Sequence, residues 1–362
     1  MDDIGWLLPL AGGLTGIAIG AAARLDRFCT LAALERHWYA GDSSGLRTWV
    51  LAAAIAMIVT QAMSLTGVVD LRSSFYLDPA FGWTGAILGG VAFGFGMALV
   101  GTCGFGALVR LGGGSLRSLI VLVVLGLSAL AAQRGLIAQG RVVLVDDLAA
   151  DLSFAGDQSL GSLASALFGT DLRLPVAMAV AGLLLFWVFS NAGYRRRLGH
   201  IATAAVIGCG IGVGWLVTSW GGRRAFEPVQ LEAGSFVVPV GDTLLQIITY
   251  TGLRPDYGVG LVVGVGVGAA LVAWCKKDVR WEACDDAREL GRHIVGAFLM
   301  GVGGVFAMGC TIGQGVTAVS VLAISAPIVM LSIALGARLG LSYLLEGSPW
   351  SVFRMSHHKS AE

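Results

Sequence analysis

The sequence predicts an all-α polytopic membrane protein with about nine transmembrane helices, extra short dipping helices and two inverted repeats. Three observations lead there. The 362 residues are 56% hydrophobic and only 13% charged, with a mean hydropathy of +0.79, whereas a soluble domain carries about 25% charge. The apolar runs are long and continuous, which suits helices in lipid and lacks the alternation of a transmembrane barrel. A glycine-rich layout around a cysteine occurs twice, from Gly94 to Gly106 around Cys103 and from Gly301 to Gly315 around Cys310.

The spans follow in order. The first run, about Ile4 to Ala23, has no basic segment before it and no clear cleavage site, so it reads as a retained span. A polar stretch with Arg24, Arg27, Arg36 and Arg47 contains Phe28 to Leu34, apolar enough for a short dipping helix. The second run is about Thr48 to Val69, and the third, about Gly82 to Val100, meets the Cys103 break. The fourth is about Ser118 to Ala132. The acidic insertion Gln133 to Arg173 predicts a surface loop with short helices. The fifth run, about Leu174 to Ala192, ends at a basic cluster, Arg195 to Arg197. The sixth is about Ile201 to Trp220, and Ser235 to Gln246 suits a second dipping helix. The seventh, about Val259 to Trp274, precedes a charged loop, the eighth starts at His293 and reaches the Cys310 break, and the ninth is about Ala318 to Leu345.

Basic loops mark the cytoplasmic side of a membrane protein. With nine spans, the basic segments at 24–47, 195–197 and 276–292 and the C-terminal tail share one side if the N-terminus is outside. The acidic insertion then lies outside. The predicted arrangement is a bacterial inner-membrane protein with its C-terminus in the cytoplasm.

The two cysteine breaks are 207 residues apart, and the same offset pairs Gly106 with Gly313 and Gly45-Leu46-Arg47 with Gly252-Leu253-Arg254. Spans one to four and six to nine then form two repeats, with equivalent spans five apart and so inverted in the membrane. The implied organisation is a first repeat at 1–138, the acidic loop and linking span at 139–199, a second repeat at 200–345 and a tail at 346–362. Inverted repeats are a transporter architecture, with the pathway between the halves.

The breaks are the candidate site. Non-helical backbone at membrane depth survives only where protein or a wet cavity satisfies it. A thiol buried in apolar surroundings stays protonated and is a weak donor. It can pass an anion onward without trapping it, as conduction requires. Cys103 and Cys310 are the sharpest candidates, and Cys29, at the start of the first dipping helix, is a third. Thr102, Thr311 and Gln314 stand beside them as polar contacts or as local helix-end hydrogen bonds, and Gly106 and Gly313 are their glycine neighbours. The offset places Phe236 opposite Cys29, with Ser235 one residue away. Cys209, between two glycines, reads as packing. Arg223 and Arg224 read as interface anchors, and most of the ten tryptophans likewise. The apolar spans hold almost no Asp or Glu, which argues against a carboxylate proton relay or a cation site. With no CxxC and no Cys/His cluster at metal spacing, no zinc site or other cofactor is expected, and nothing suggests nucleic-acid binding.

At these residues the sequence resembles the YeeE/YedE family of sulfur-transport membrane proteins. The resemblance rests on Arg27-Phe28-Cys29, on Gly101 to Gly106 with the following Gly112 to Ser115, and on Met308 to Gly315, and it covers nearly the whole chain. It implies uptake of a sulfur-containing anion, thiosulfate being the best-known case. It also implies a path lined by thiols that hydrogen-bond the passing ion, here Cys103, Cys310 and Cys29, and a small cytosolic sulfur-carrier protein as partner. Some members carry a further second-half cysteine, and this chain has Ser235-Phe236 near that place. Two alternatives stand beside this reading: carriage of another sulfur or selenium species, and a membrane thiol–disulfide redox enzyme. The second requires two cysteines with Cα atoms under about 7 Å apart, and Cys29 with Cys103 is the pair that folding is able to join.

Overall fold

The computed structural model describes residues 3–224, 229–250, 254–284 and 286–348. In chain order its helices are α1 (Asp3–Asp26), α2 (Thr30–Ala40), α3 (Ser44–Leu65), α4 (Trp83–Val100), α5 (Gly104–Gly112), α6 (Leu116–Arg134), α7 (Leu136–Arg141), α8 (Leu160–Phe168), α9 (Arg173–Phe189), α10 (Ala192–Arg195), α11 (Leu198–Gly222), α12 (Val238–Ile248), α13 (Tyr257–Cys275), α14 (Ala287–Phe306) and α15 (Ser325–Glu346). Between α14 and α15 lies a π-wound turn, Gly313–Ala318. Two residue pairs, Ala80–Phe81 and Ala150–Asp151, form a small antiparallel ladder. The protein is an all-α polytopic membrane protein. Among the described residues, seven apolar helical stretches are long enough to cross a membrane. The 17-residue α9 and the charge-tipped α14 lie where the fifth and eighth spans are expected.

Several boundaries differ from the sequence reading, each for a local reason. Helix α14 starts at Ala287, six residues before His293, because Asp286 accepts the Glu289 N–H at 2.7 Å and caps a charged first turn. Helix α3 starts at Ser44, whose N–H and hydroxyl both bond Asp42 at 2.9 Å, and gives out before Gly67 (φ 71°). Helix α15 starts at Ser325 rather than Ala318, since the intervening residues form the π turn and a tight bend with Leu322 at φ 60°. Gly252, Leu253 and the tail beyond residue 348 lie outside the described residues, so that part of the repeat and the tail have no structural account.

Close packing fixes which helices meet. Helices α1 and α13 run parallel with their backbones nearly touching: a Cβ on Gly12, Gly16 or Gly20 would come within 2.4 Å of an α13 carbonyl. One on Gly260, Gly264 or Gly268 would come within 2.2 Å of α1. Small residues spaced by four permit such an approach in lipid, where packing rather than apolar burial drives association. In the same way α3 packs parallel to α11 through Gly208 and Gly212, α4 parallel to α15 through Gly94 and Gly336, and α6 beside α14 through Gly301. Helices α4 and α14 cross antiparallel, Gly89 against Gly303 and Gly96 against Gly296. The acidic insertion is strapped down rather than free. Val145 is buried against Gly82 and Gly85, Thr84 Oγ1 donates to the Leu144 carbonyl, and Ile324 N donates to Gln158 O at 3.0 Å.

Candidate functional site

Each cysteine break is a helix that stops, turns and restarts. Helix α4 ends at Gly101 in the left-handed region (φ 78°), and α5 restarts with Cys103 as its N-cap. Helix α14 ends in a tighter turn, with Met308 at φ 54° and Gly309 at φ 154°, and helical turns resume over residues 311–320. In both, the sulfur accepts the backbone N–H three residues on: Gly106 N to Cys103 Sγ at 3.4 Å and Gly313 N to Cys310 Sγ at 3.4 Å. Both cysteines are buried. A backbone N–H at a helix start normally takes a side-chain oxygen; here sulfur fills that place and keeps the S–H free to donate.

The fold brings the predicted residues together. Cys29 precedes α2 without capping it, and its thiol is a neighbour of the Cys103 thiol. Thr102 Oγ1 is 3.9 Å from Cys29 Sγ. The Thr311 hydroxyl is buried without a hydrogen-bond partner and stands near the Cys103 thiol. The Phe236 backbone joins the two breaks. Its N–H is directed at Cys310, and its carbonyl lies 3.2 Å from where a Gly104 Cβ would sit. A file of polar side chains therefore runs from Cys310 and Thr311 to Cys103 and on to Cys29 and Thr102.

Two glycines beside this file leave no room for a side chain. A Cβ on Gly106 would lie 2.2 Å from Thr102 Oγ1, and one on Gly313 would lie 3.0 Å from the Tyr76 hydroxyl and 3.3 Å from Ser235 Oγ. Gln314 is committed elsewhere. Its amide donates to the carbonyls of Ala307 (2.8 Å) and Met308 (3.2 Å) and accepts from Ser325 (3.3 Å), so it closes the end of α14. Such carbonyls have no intrahelical partner.

Cys29 and Thr102 open onto a cavity of about 590 Å³. Arg24, Arg27, Arg36, Arg110, Lys276 and Arg280 line it against only two carboxylates, Asp278 and Glu282. Asp278 is already paired with Arg24 and Arg280. A second cavity of about 310 Å³ shares Thr102, Arg110, Ser115 and Glu282 with the first. The loop between α13 and α14 roofs this region, with Glu282 hydrogen-bonded to Gly114 and Leu116. Basic walls around such a cavity attract and concentrate anions.

Comparison with known proteins places this arrangement in a family. A family model described as sulphur transport matches residues 26–339. The chain belongs to that family. It is 25% identical over 335 residues to the thiosulfate transporter TsuA of Spirochaeta thermophila, which covers 90% of this chain and 96% of that protein. Against the thiosulfate transporter TsuA of Escherichia coli the identity is 23% over 328 residues, 84% of this chain and 86% of that one.

As a member of a sulphur-transport family the chain is a transporter and not an enzyme. The Cys29–Cys103 approach is also what thiol–disulfide exchange would need. Among the described residues no cluster of three or more His, Cys, Asp or Glu side chains suits a metal ion. Other features of this transporter escaped the sequence. Trp49 and Trp215 are buried rather than interfacial: Trp49 Nε1 donates to Thr30 Oγ1 at 3.1 Å and Trp215 Nε1 to Ser320 Oγ at 3.0 Å. Trp49 thus braces the first dipping helix and Trp215 the stretch that follows the Cys310 break. Cys209 faces outward from α11 instead of packing in an interface. Arg223 bonds the Val68 carbonyl and Arg224 stacks on Trp220 at 4.5 Å, as anchors do.

Proposed function

We propose that the chain imports thiosulfate, or a closely related sulfur oxyanion, into the cytoplasm along the file Cys310, Thr311, Cys103 and Cys29. The observation that carries this reading is the contact chain itself. Thiols and hydroxyls succeed one another through the protein and end in a basic funnel. Each S–H donates weakly to the anion, so no position traps it. Thr102 and Ser235 serve as side contacts, Gly106 and Gly313 leave room for the ion, and Gln314 holds the second break in shape. The thiosulfate transporters to which the chain is similar support the choice of cargo. Transport of another sulfur or selenium species is the alternative within the same path.

The two halves are proposed to be inverted repeats. Exchanging α1 with α11, α2 with α12, α3 with α13, α4 with α14 and α6 with α15 turns the pair α1–α13 into α11–α3 and the pair α4–α15 into α14–α6, and all four pairs pack in this protein. The antiparallel α4–α14 crossing maps onto itself, as a two-fold axis in the membrane plane requires. The repeat domains are then 1–138 and 200–345, with 139–199 between them. By the positive-inside rule the basic funnel faces the cytoplasm of a bacterial inner membrane, the N-terminus lies outside and the tail after 346 lies inside. The funnel is also where a small cytosolic sulfur-carrier protein would collect the cargo.

The test is uptake of labelled thiosulfate by cells lacking other importers. A variant with both Cys103→Ala and Cys310→Ala, at equal membrane levels, is expected to lose uptake. Normal uptake by that variant would sink the thiol path.

A further inference from the structure

Tyr76 lies in the loop between α3 and α4, in a short 3-10 turn, Phe75–Leu77, whose start is capped by Ser74 Oγ accepting the Tyr76 N–H at 3.3 Å. Its side chain is 2% exposed, and its hydroxyl has no hydrogen-bond partner. A buried hydroxyl left unpaired is unfavourable, and an unpaired one in a folded protein calls for an explanation. The ring cannot swing to find a partner. It packs edge-on against Trp215 at 6.4 Å and against Phe75 at 4.0 Å, and Trp215 is itself held by Ser320. The hydroxyl is thereby aimed at Gly313, beside Ser235 Oγ and next to the turn that carries Cys310. The other unpartnered hydroxyl here belongs to Thr311, the residue after Cys310.

We propose that the Tyr76 hydroxyl is an oxyanion donor at a subsite beside Cys310, binding an oxygen of the cargo while the thiol meets the rest of the ion. The chemistry divides the work. A thiol is a weak donor and a phenol O–H a stronger one, and hydrogen bonds to a charged acceptor are the strong kind. A site holding only thiols would not favour an oxygen-bearing anion over a bare sulfide. One rigid phenol, held beside a Gly313 that presents no side chain to it, supplies that preference. The missing partner of Tyr76 is the cargo itself.

This rests on the reading of Cys310 as part of the path, and the experiment separates the two. Initial rates of thiosulfate uptake are measured against concentration for the unaltered chain, Tyr76→Phe and Cys310→Ala, each in the full-length protein at matched membrane levels. Tyr76→Phe keeps the ring and its packing and removes only the donor. The expected result is a rise in KM of about tenfold or more with the maximal rate changed by less than about twofold, a split that marks lost binding. A KM unchanged within about twofold, whether or not the maximal rate falls, overturns the proposal and leaves Tyr76 a packing residue whose hydroxyl meets water. If Cys310→Ala stops uptake while Tyr76→Phe keeps its KM, only the Tyr76 assignment fails. If Cys310→Ala also transports normally, the path itself fails.

Discussion

The two breaks share a sulfur-capped turn but differ in what surrounds it. Around Cys103 the turn opens on a basic cavity, and the last carbonyl of α4, that of Gly101, is taken by the Arg110 guanidinium at 3.0 Å. Around Cys310 the turn is closed in. The carbonyls ending α14 are taken by the neutral amide of Gln314, itself fully buried, and Trp49 lies across Gly315. The difference follows from water. A guanidinium is tolerable where solvent reaches it, whereas an enclosed turn needs a neutral donor, since an uncompensated buried charge is far more costly. Among the described residues, then, the Cys103 turn borders a basic cavity and the Cys310 turn is enclosed by packed side chains.

The enclosure makes the second break the more fragile, and the largest predicted effect tests this. A Cβ on Gly315 would sit 1.8 Å from the Trp49 ring and 2.8 Å from the Met330 sulfur. Trp49 has no freedom to retreat, because its indole N–H is bonded to Thr30. Gly315→Ala is therefore expected to destabilise the protein by about 3 kcal/mol or more, at the upper end for overpacking. Thermal unfolding of the detergent-solubilised variant measures it, and a native-like melting temperature would mean that the ring is not fixed over the turn.

A matched pair of substitutions sharpens the contrast. Gln314→Ala leaves the Ala307 and Met308 carbonyls in a site without solvent, at about 2 kcal/mol. Arg110→Ala exposes the Gly101 carbonyl to a cavity where water replaces the guanidinium, and the expected loss is below about 0.5 kcal/mol. Equal losses for the two would contradict the assignment of one break as wet and the other as dry.

How much of this was legible in the sequence depends on range. The spans and the placing of Cys103 and Cys310 at two breaks follow from runs of apolar residues and from glycine spacing, which are local signals. The glycine stripes of α1 and α13 are a local signal of the same kind, because a four-residue repeat of glycines has few other uses in lipid. Tyr76, Trp49 and Trp215 were not. Each acts through a neighbour far along the chain, Tyr76 on Gly313 and Trp49 on Gly315, and an aromatic residue near a span end has the same signature whether it anchors or braces. Gln314 was ambiguous for a related reason: an amide beside a break serves cargo or backbone equally well until the fold shows which carbonyls it reaches. The start of α14 was hidden because its first turn is charged, and hydropathy marks only the part of a helix that lies in lipid.

The smallest predicted effect isolates the backbone of the open break from its packing. Gly101 ends α4 at φ 78°, and a Cβ added there would meet nothing within 4 Å. Any effect of Gly101→Ala is thus conformational, the penalty of holding an L-residue in the left-handed region, about 1 kcal/mol. Gly101→Asn should lose less, since asparagine enters that region more readily. The corresponding turn at the closed break uses Gly309 at φ 154°, where a Cβ would also stand 3.2 Å from the Gln314 side chain. Strain and crowding are therefore coupled at Gly309 and separable at Gly101. Unfolding midpoints for Gly101→Ala and Gly101→Asn measure the strain alone, and an alanine variant as stable as the parent would show that the turn at Gly101 relaxes and that the open break does not depend on its left-handed residue.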